Sequence, residues 1–268
     1  MGGNRCAIRL LALPLICATA IADVRAGTVD ATYSITLAGL TIGRASLSGV
    51  VDHASYKINV SAALTGLAGA FTRGQGSGTA QGGLGGSDPR SNGFAVTASS
   101  GSNSRTIQIG ATSGNVRGVS IDPPLELPQE GRVPLKEQHK VGVLDPISAL
   151  VMPVRGSNPL DKANCERRLP VFDGTQRFDV VLSFVGVRQV KSETGYSGPV
   201  LICSARYVPV AGHRPDRRAV KFMAENRNMD TWLAPVNGGK VLMPFRISVR
   251  TMVGLSVIEA SRFQSSEP

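Results

Sequence analysis

Aromatic residues make up only 5% of the 268 positions and charged residues 18%, and the chain has four cysteines and three histidines. Each shortage excludes a class of function. With Trp232 the only tryptophan, no basic stretch is interleaved with stacking aromatics, so nucleic acid is not an expected partner. His53, His139 and His213 stand apart, with no HExxH and no cysteine–histidine cluster, so no metal is expected. No GxSxG step is present to carry a nucleophilic serine. Acids are scarce, and none lies in the aromatic surroundings that a sugar-cleaving carboxylate pair needs. The glycine-rich run at 66–93 lacks the GxxxxGK[ST] spacing of a phosphate loop, and no cofactor is expected. The chain therefore reads as non-enzymatic, with no catalytic residue to nominate.

What the chain does have begins with an address. Arg5 and Arg9 precede the short apolar run "LLALPLICATAIA" (10–22), which ends in small residues. This is the pattern of a cleaved secretion signal over 1–22, with candidate cleavage points after Ala20, Ala22 or Ala26. The run is short for a bilayer core of ~30 Å, and no later stretch is apolar and long enough to cross one. Cys17 follows Ile16, where lipid attachment wants a small residue, so a lipid anchor is not expected. The expected destination is the periplasm, at most peripheral to a membrane. Losing two arginines and no acid lowers the formal charge from +10 to +8. A basic exported chain is attracted to anionic lipid or envelope polymer, and an envelope protein is a further candidate partner.

Export makes the cysteine count informative. Cys6 and Cys17 leave with the leader, and Cys165 and Cys203 remain. In an oxidising compartment an isolated pair reads as a disulfide, with two buried free thiols as the alternative. The loop it closes is worth roughly 3–4 kcal/mol.

Period-two alternation dominates residues 23–268, read as one β-barrel-like domain. Val29, Ala31, Tyr33, Ile35 and Leu37 share a face, as do Tyr56, Ile58 and Val60. Phe178, Val180, Leu182 and Phe184 form another such face, followed by Val241, Met243, Phe245, Ile247 and Val249. Segment 66–93 reads as flexible, or as strands relaxed by glycine, and 122–134 as a proline-rich connector. The one helical signal is "LDPISALVMPV", where Asp145 caps, Pro146 suits the first position and Pro153 ends a helix of about two turns.

Two stretches invite a chemical reading. In "RRLPVFDGTQRFDVVLSFVGV" the Asp173-Gly174 step reads as a turn between strands, since a calcium loop needs more oxygen ligands than it offers. In "RYVPVAGHRPDRRAVKF" (206–222), Arg206, His213, Arg214, Arg217, Arg218 and Lys221 are candidates for docking an anionic head group. A solvated loop that keeps sheet edges apart is the competing reading.

"GVLDPISALV", "CERRLPVFDGTQRFDVVLSF", "CSARYVPVAGHRP", "TWLAP" and "LMPFRISVRTMVG" together resemble domain-of-unknown-function family 3108, exported proteobacterial proteins, over most of the mature chain. The resemblance implies a single curved antiparallel sheet, similar to the half-barrels of periplasmic lipoprotein carriers, and transfers no catalytic residue. Alternation alone points the same way, because many half-buried strands must curl or stack to hide one face. The expectation is a mostly β, open or spiral β-barrel with one short helix that binds a hydrophobic or lipid-like ligand, or a partner's apolar segment, on its concave face. A scaffolding protein with a filled interior is the alternative, and an envelope glycan or lipid hydrolase the third.

Overall fold

Alternating side chains build seven strands in succession: β1 (Gly27–Leu37), β2 (Leu40–Val51), β3 (Ser55–Leu64), β4 (Gln75–Gly83), β5 (Arg90–Ser100), β6 (Asn103–Thr112) and β7 (Asn115–Asp122). The computed structural model describes residues 2, 27–66, 74–126, 128 and 130–267. The expected leader, Gly2 apart, and residues 67–73 lie outside them. Each strand pairs antiparallel with the next. One face points inward throughout, with Ala31 opposite Leu47, Ile58 opposite Ala80 and Phe94 opposite Ile109. The tight β1–β2 and β6–β7 turns place Ala38-Gly39 and Ser113-Gly114 at positive φ, the geometry that matches strand twist.

The second half adds β8 (Met152–Pro153), β9 (Arg168–Phe172), β10 (Arg177–Lys191), β11 (Thr194–Gly195) and β12 (Ser197–Ala211). A helix, α1 (Arg218–Glu225), precedes β13 (Met229–Val236), β14 (Val241–Arg250) and β15 (Leu255–Ser265). β15 returns to pair with β1, which joins both halves into one sheet. Its order is β7-β6-β5-β4-β3-β2-β1-β15-β14-β13-β12-β10-β9, with β8 on β14 and β11 on β15.

The sheet is antiparallel apart from the short parallel pair of β11 with β15, and because β7 and β9 do not pair it is curled and open. A strap replaces the missing ladder. Val143 N donates to Gly114 O (2.8 Å), while Leu144 N donates to Pro170 O (2.7 Å) and accepts at its carbonyl from Phe172 N (2.8 Å). The β9–β10 turn also leans on the far edge: a Cβ on Gly174 would come within 2.8 Å of Ile107 Cγ2.

Strands β12 to β14 carry adjacent buried residues, which means both faces are covered. Val200, Ala234, Met243 and Phe245 join a core with the inward faces of β1–β6. Their neighbours Leu201, Leu233 and Leu242 join a second core with Leu169, Leu182 and the cysteines. Leu144 and Met152 belong to this second core, so the chain that crosses the gap covers one face of these strands while the curled sheet covers the other.

Two expectations need correction. The stretch "LDPISALVMPV" is not a two-turn helix but a strap with a single 3-10 turn at Ser148–Leu150, and an α-helix of eight residues lies instead at Arg218–Glu225. Asp145 does cap, accepting from Ile147 N (3.0 Å) and Ser148 N (2.8 Å), but Met152 and Pro153 are drawn into pairing with Leu242 and Val241. The helix itself buries none of its residues, and its basic start disguised it as a loop.

The second concerns the segment 66–93, where residues 75–83 follow the reading of strands relaxed by glycine and not the flexible one. Residues 75–83 of the glycine-rich segment form β4, bonded on both sides. Its glycines make room for inward neighbours. A Cβ on Gly78 would lie 2.9 Å from Ile147 Cδ1, and one on Gly82 would collide with the Tyr56 hydroxyl and Arg90 O. In the 122–134 connector, the described residues after Asp122 form no strand or helix, and Val133 bonds through its backbone to Gly212 and His213.

Candidate functional site

Between the strap and the face of the C-terminal strands that carries the second core lies an apolar cavity of about 230 Å³. Phe178, Val180 and Leu182 of β10 form one wall, and Met229, Ile247 and Val249 of β13 and β14 another. Pro146, Ala149 and Leu150 of the strap close it. Alternation supplies this lining, because Leu182 stands opposite Ala205 and Ile247 opposite Thr231 on one face. Among polar atoms here, Thr231 Oγ1 is buried and makes no hydrogen bond, and Asp230 Oδ1 is likewise without a partner. The other Asp230 oxygen accepts from Ser248 Oγ (2.5 Å). A buried hydroxyl without a partner is costly, so a ligand carbonyl or hydroxyl is a fitting complement to Thr231.

The strap is fixed by a sealed polar knot. Asp145 Oδ2 accepts from Ser91 Oγ (2.6 Å) and Ser148 Oγ (2.5 Å), and Tyr56 donates to Ser148 Oγ (2.6 Å). Burial pushes the Asp145 carboxyl above its usual range, and the donated hydrogen bonds offset part of this; burial also pushes the Tyr56 phenol up, beyond its ordinary range. With Asp145 2% and Ser148 0% exposed, this knot has no access for a substrate. It is architecture, as is Arg167. That side chain is 3% exposed, donates to Asn164 O (2.9 Å), Ser87 O (3.0 Å) and Pro153 O, and lies 3.5 Å from Asp88. Burial and the nearby Arg155 lower its pKa to about 10, against the pull of Asp88.

The nominated basic cluster is not one site. Arg206 sits within β12 opposite Val181, five residues or ~17 Å of strand from Ala211. His213 is 7% exposed, and its Nδ1 is buried without a hydrogen-bond partner. Arg214 faces Asp216 (3.5 Å), and Arg217, Arg218 and Lys221 extend along the start of α1 into solvent. The Asp173-Gly174 step forms the β9–β10 turn. Asp173 Oδ1 accepts from Thr175 N (2.8 Å) and Gln176 N (2.7 Å), and Gly174 has φ +98°. Cys165 and Cys203 are joined as a disulfide in the second core. Among the described residues no three metal-binding side chains cluster, and no helix is long and apolar enough to cross a membrane.

Sequence reasoning missed the cavity-lining Thr231 and the surroundings of Trp232. That ring lies between the Arg188 guanidinium (5.2 Å) and the Arg246 guanidinium (4.8 Å) on the other face of the same strands. Cross-strand register supplies Arg246 opposite Trp232, but only with the bulge between Trp232 and Leu233 in place.

A protein-family model described as "Protein of unknown function (DUF3108)" matches residues 32–261, and the chain belongs to that family. Among curated proteins none matches. A solved structure, a beta-barrel-like protein of domain of unknown function DUF1849 from Brucella abortus, is similar with a TM-score of 0.52 at 10% identity. The superposition covers 91% of this chain and 100% of that one, and it shows a shared fold alone.

Proposed function

We propose that this member of the DUF3108 family is an exported, non-enzymatic envelope protein that holds a slender hydrophobic ligand, such as a lipid acyl chain with a single polar group, between its C-terminal strands and the strap. The observation that carries this reading is the cavity, with an apolar wall and one unmet hydroxyl, Thr231. Its volume of about 230 Å³ lies below the ~300–1,000 Å³ of ordinary small-molecule sites, which favours one chain over a bulky ring system. The disulfide and the pattern at 1–22 support export.

Native mass spectrometry of gently purified protein tests it. A lipid-sized adduct is expected on the wild type and is expected to be lost in Ala205→Leu, which fills the wall where Ala205 is 8% exposed. A bare chain in both would remove the reading. A second reading, a scaffold with a filled interior, is favoured by the double-sided burial of β12–β14. It predicts no adduct and a loss of stability in Ala205→Leu from overpacking.

A further inference from the structure

At one end of the sheet two hairpin turns lie side by side. Ala38 N donates to Leu255 O (2.8 Å), and a Cβ on Gly254 would stand 2.8 Å from the Ala38 Cβ. The β1–β2 turn leads into Leu40, which is 72% exposed, and the β14–β15 turn presents Met252 at 56% and Val253 at 78%. Three large apolar side chains thus project from adjacent tips, well exposed among the described residues. Immediately behind them an open hollow of about 730 Å³ is lined by Arg188, Arg227, Arg246 and Arg250, with Val187 and Leu255 on its rim. Arg250 stands opposite Leu255, so the basic wall begins at the last residue pair before the tip.

The charge is unbalanced. Arg246 meets Glu259 (3.0 Å) and Asp230 lines the floor, but Arg188, Arg227 and Arg250 pair with no carboxylate among the described residues. Trp232, between two guanidiniums, adds a ring of the kind that sits at membrane–water boundaries. Apolar tips followed by unpaired arginines and an amphipathic ring match the depth profile of an anionic bilayer surface: acyl boundary first, phosphates next.

We propose that this end of the sheet docks on the surface of an anionic bilayer. Leu40, Met252 and Val253 enter the headgroup–acyl boundary, and Arg188, Arg227 and Arg250 take lipid phosphates. The hollow lies on the opposite face of β13 and β14 from the apolar cavity, and the inference stands whether or not the cavity holds a ligand.

Co-sedimentation with vesicles of phosphatidylcholine, with and without one-third phosphatidylglycerol, tests it on protein as the cell produces it, its N-terminus read by intact mass. The wild type is expected to bind the anionic vesicles and to be released by salt. Arg227→Gln with Arg250→Gln is expected to weaken binding roughly thirtyfold. Met252→Ser with Val253→Ser is expected to weaken it about tenfold. Both pairs are exposed, and an unchanged thermal midpoint shows that the fold persists. Equal binding to neutral and anionic vesicles, no binding at all, or undiminished binding by either variant overturns the proposal. So does a change in sedimenting mass in the tip variant without vesicles, which assigns the tips to a protein contact.

Discussion

Removing the Asp145 side chain is the sharpest way to test how the open sheet is held shut. The carboxylate is 2% exposed and accepts four hydrogen bonds, two from the Ile147 and Ser148 amides and two from the Ser91 and Ser148 hydroxyls. Asp145→Ala leaves both amides without a partner in a sealed turn, while the hydroxyls can rotate. At ~1–3 kcal/mol for each buried donor left unmet, the loss is about 3–5 kcal/mol, a large part of an ordinary folding free energy. Asp145→Asn keeps the oxygen that serves the amides and turns an NH₂ toward two hydroxyls that can accept, so it costs about 1–2 kcal/mol. Urea unfolding followed by tyrosine and tryptophan fluorescence measures both. A loss in Asp145→Ala within about 0.5 kcal/mol of zero, or an Asn variant as damaged as the Ala variant, refutes the account of the strap. The titration adds a signed check. Burial raises the folded pKa of this acid, so its contribution to stability is fully present below the unfolded value near 3.8 and is lost as pH rises through the folded value. Asp145→Asn is expected to lack that decline.

Arg167→Met removes a buried cation that three carbonyls and Asp88 satisfy, and chemical denaturation is expected to show a loss of about 3 kcal/mol. Gly82→Ala drives a methyl into Tyr56 and Arg90 O, and a loss of roughly 1–3 kcal/mol is expected by the same assay, whereas Gly110→Ala, whose Cβ meets nothing within 4 Å, is expected to be nearly silent. Replacing Cys165 and Cys203 by alanine opens a loop with a sequence separation of 38 and is expected to lower the unfolding free energy by roughly 3–4 kcal/mol, checked against an alkylation count of no free thiol in the oxidised parent.

The fold was legible because period-two alternation is a local signal. Ala31, Ile58, Ala80 and Phe94 each declare an inward face without reference to distant chain. The helix at Arg218–Glu225 was not, since its apolar stripe of Val220, Phe222 and Met223 spans only eight residues and begins among arginines that read as a loop. The Asp145 cap was legible, but the Asp-Pro-Ile-Ser step continues into a strap because β14 offers Met152 and Pro153 partners far away in sequence. The glycines of β4 looked like freedom, and only their inward neighbours reveal them as clearance.

By itself, then, the sequence determined the strand-rich class and the absence of catalytic motifs, which rest on composition and short-range spacing, and it offered the pairing of Cys165 with Cys203 that the structure makes. How far the sheet winds, which strands are buried twice, and where a cavity remains were decided by tertiary structure. Those properties depend on register between strands such as β1 and β15, hundreds of residues apart, and on two bulges that redirect side chains. The same holds for the basic surface: arginines adjacent along residues 214–218 disperse into solvent, while Arg188, Arg227, Arg246 and Arg250 converge because pairing brings their strands together. Alternation sets the face on which a side chain stands, but only long-range pairing sets its neighbours.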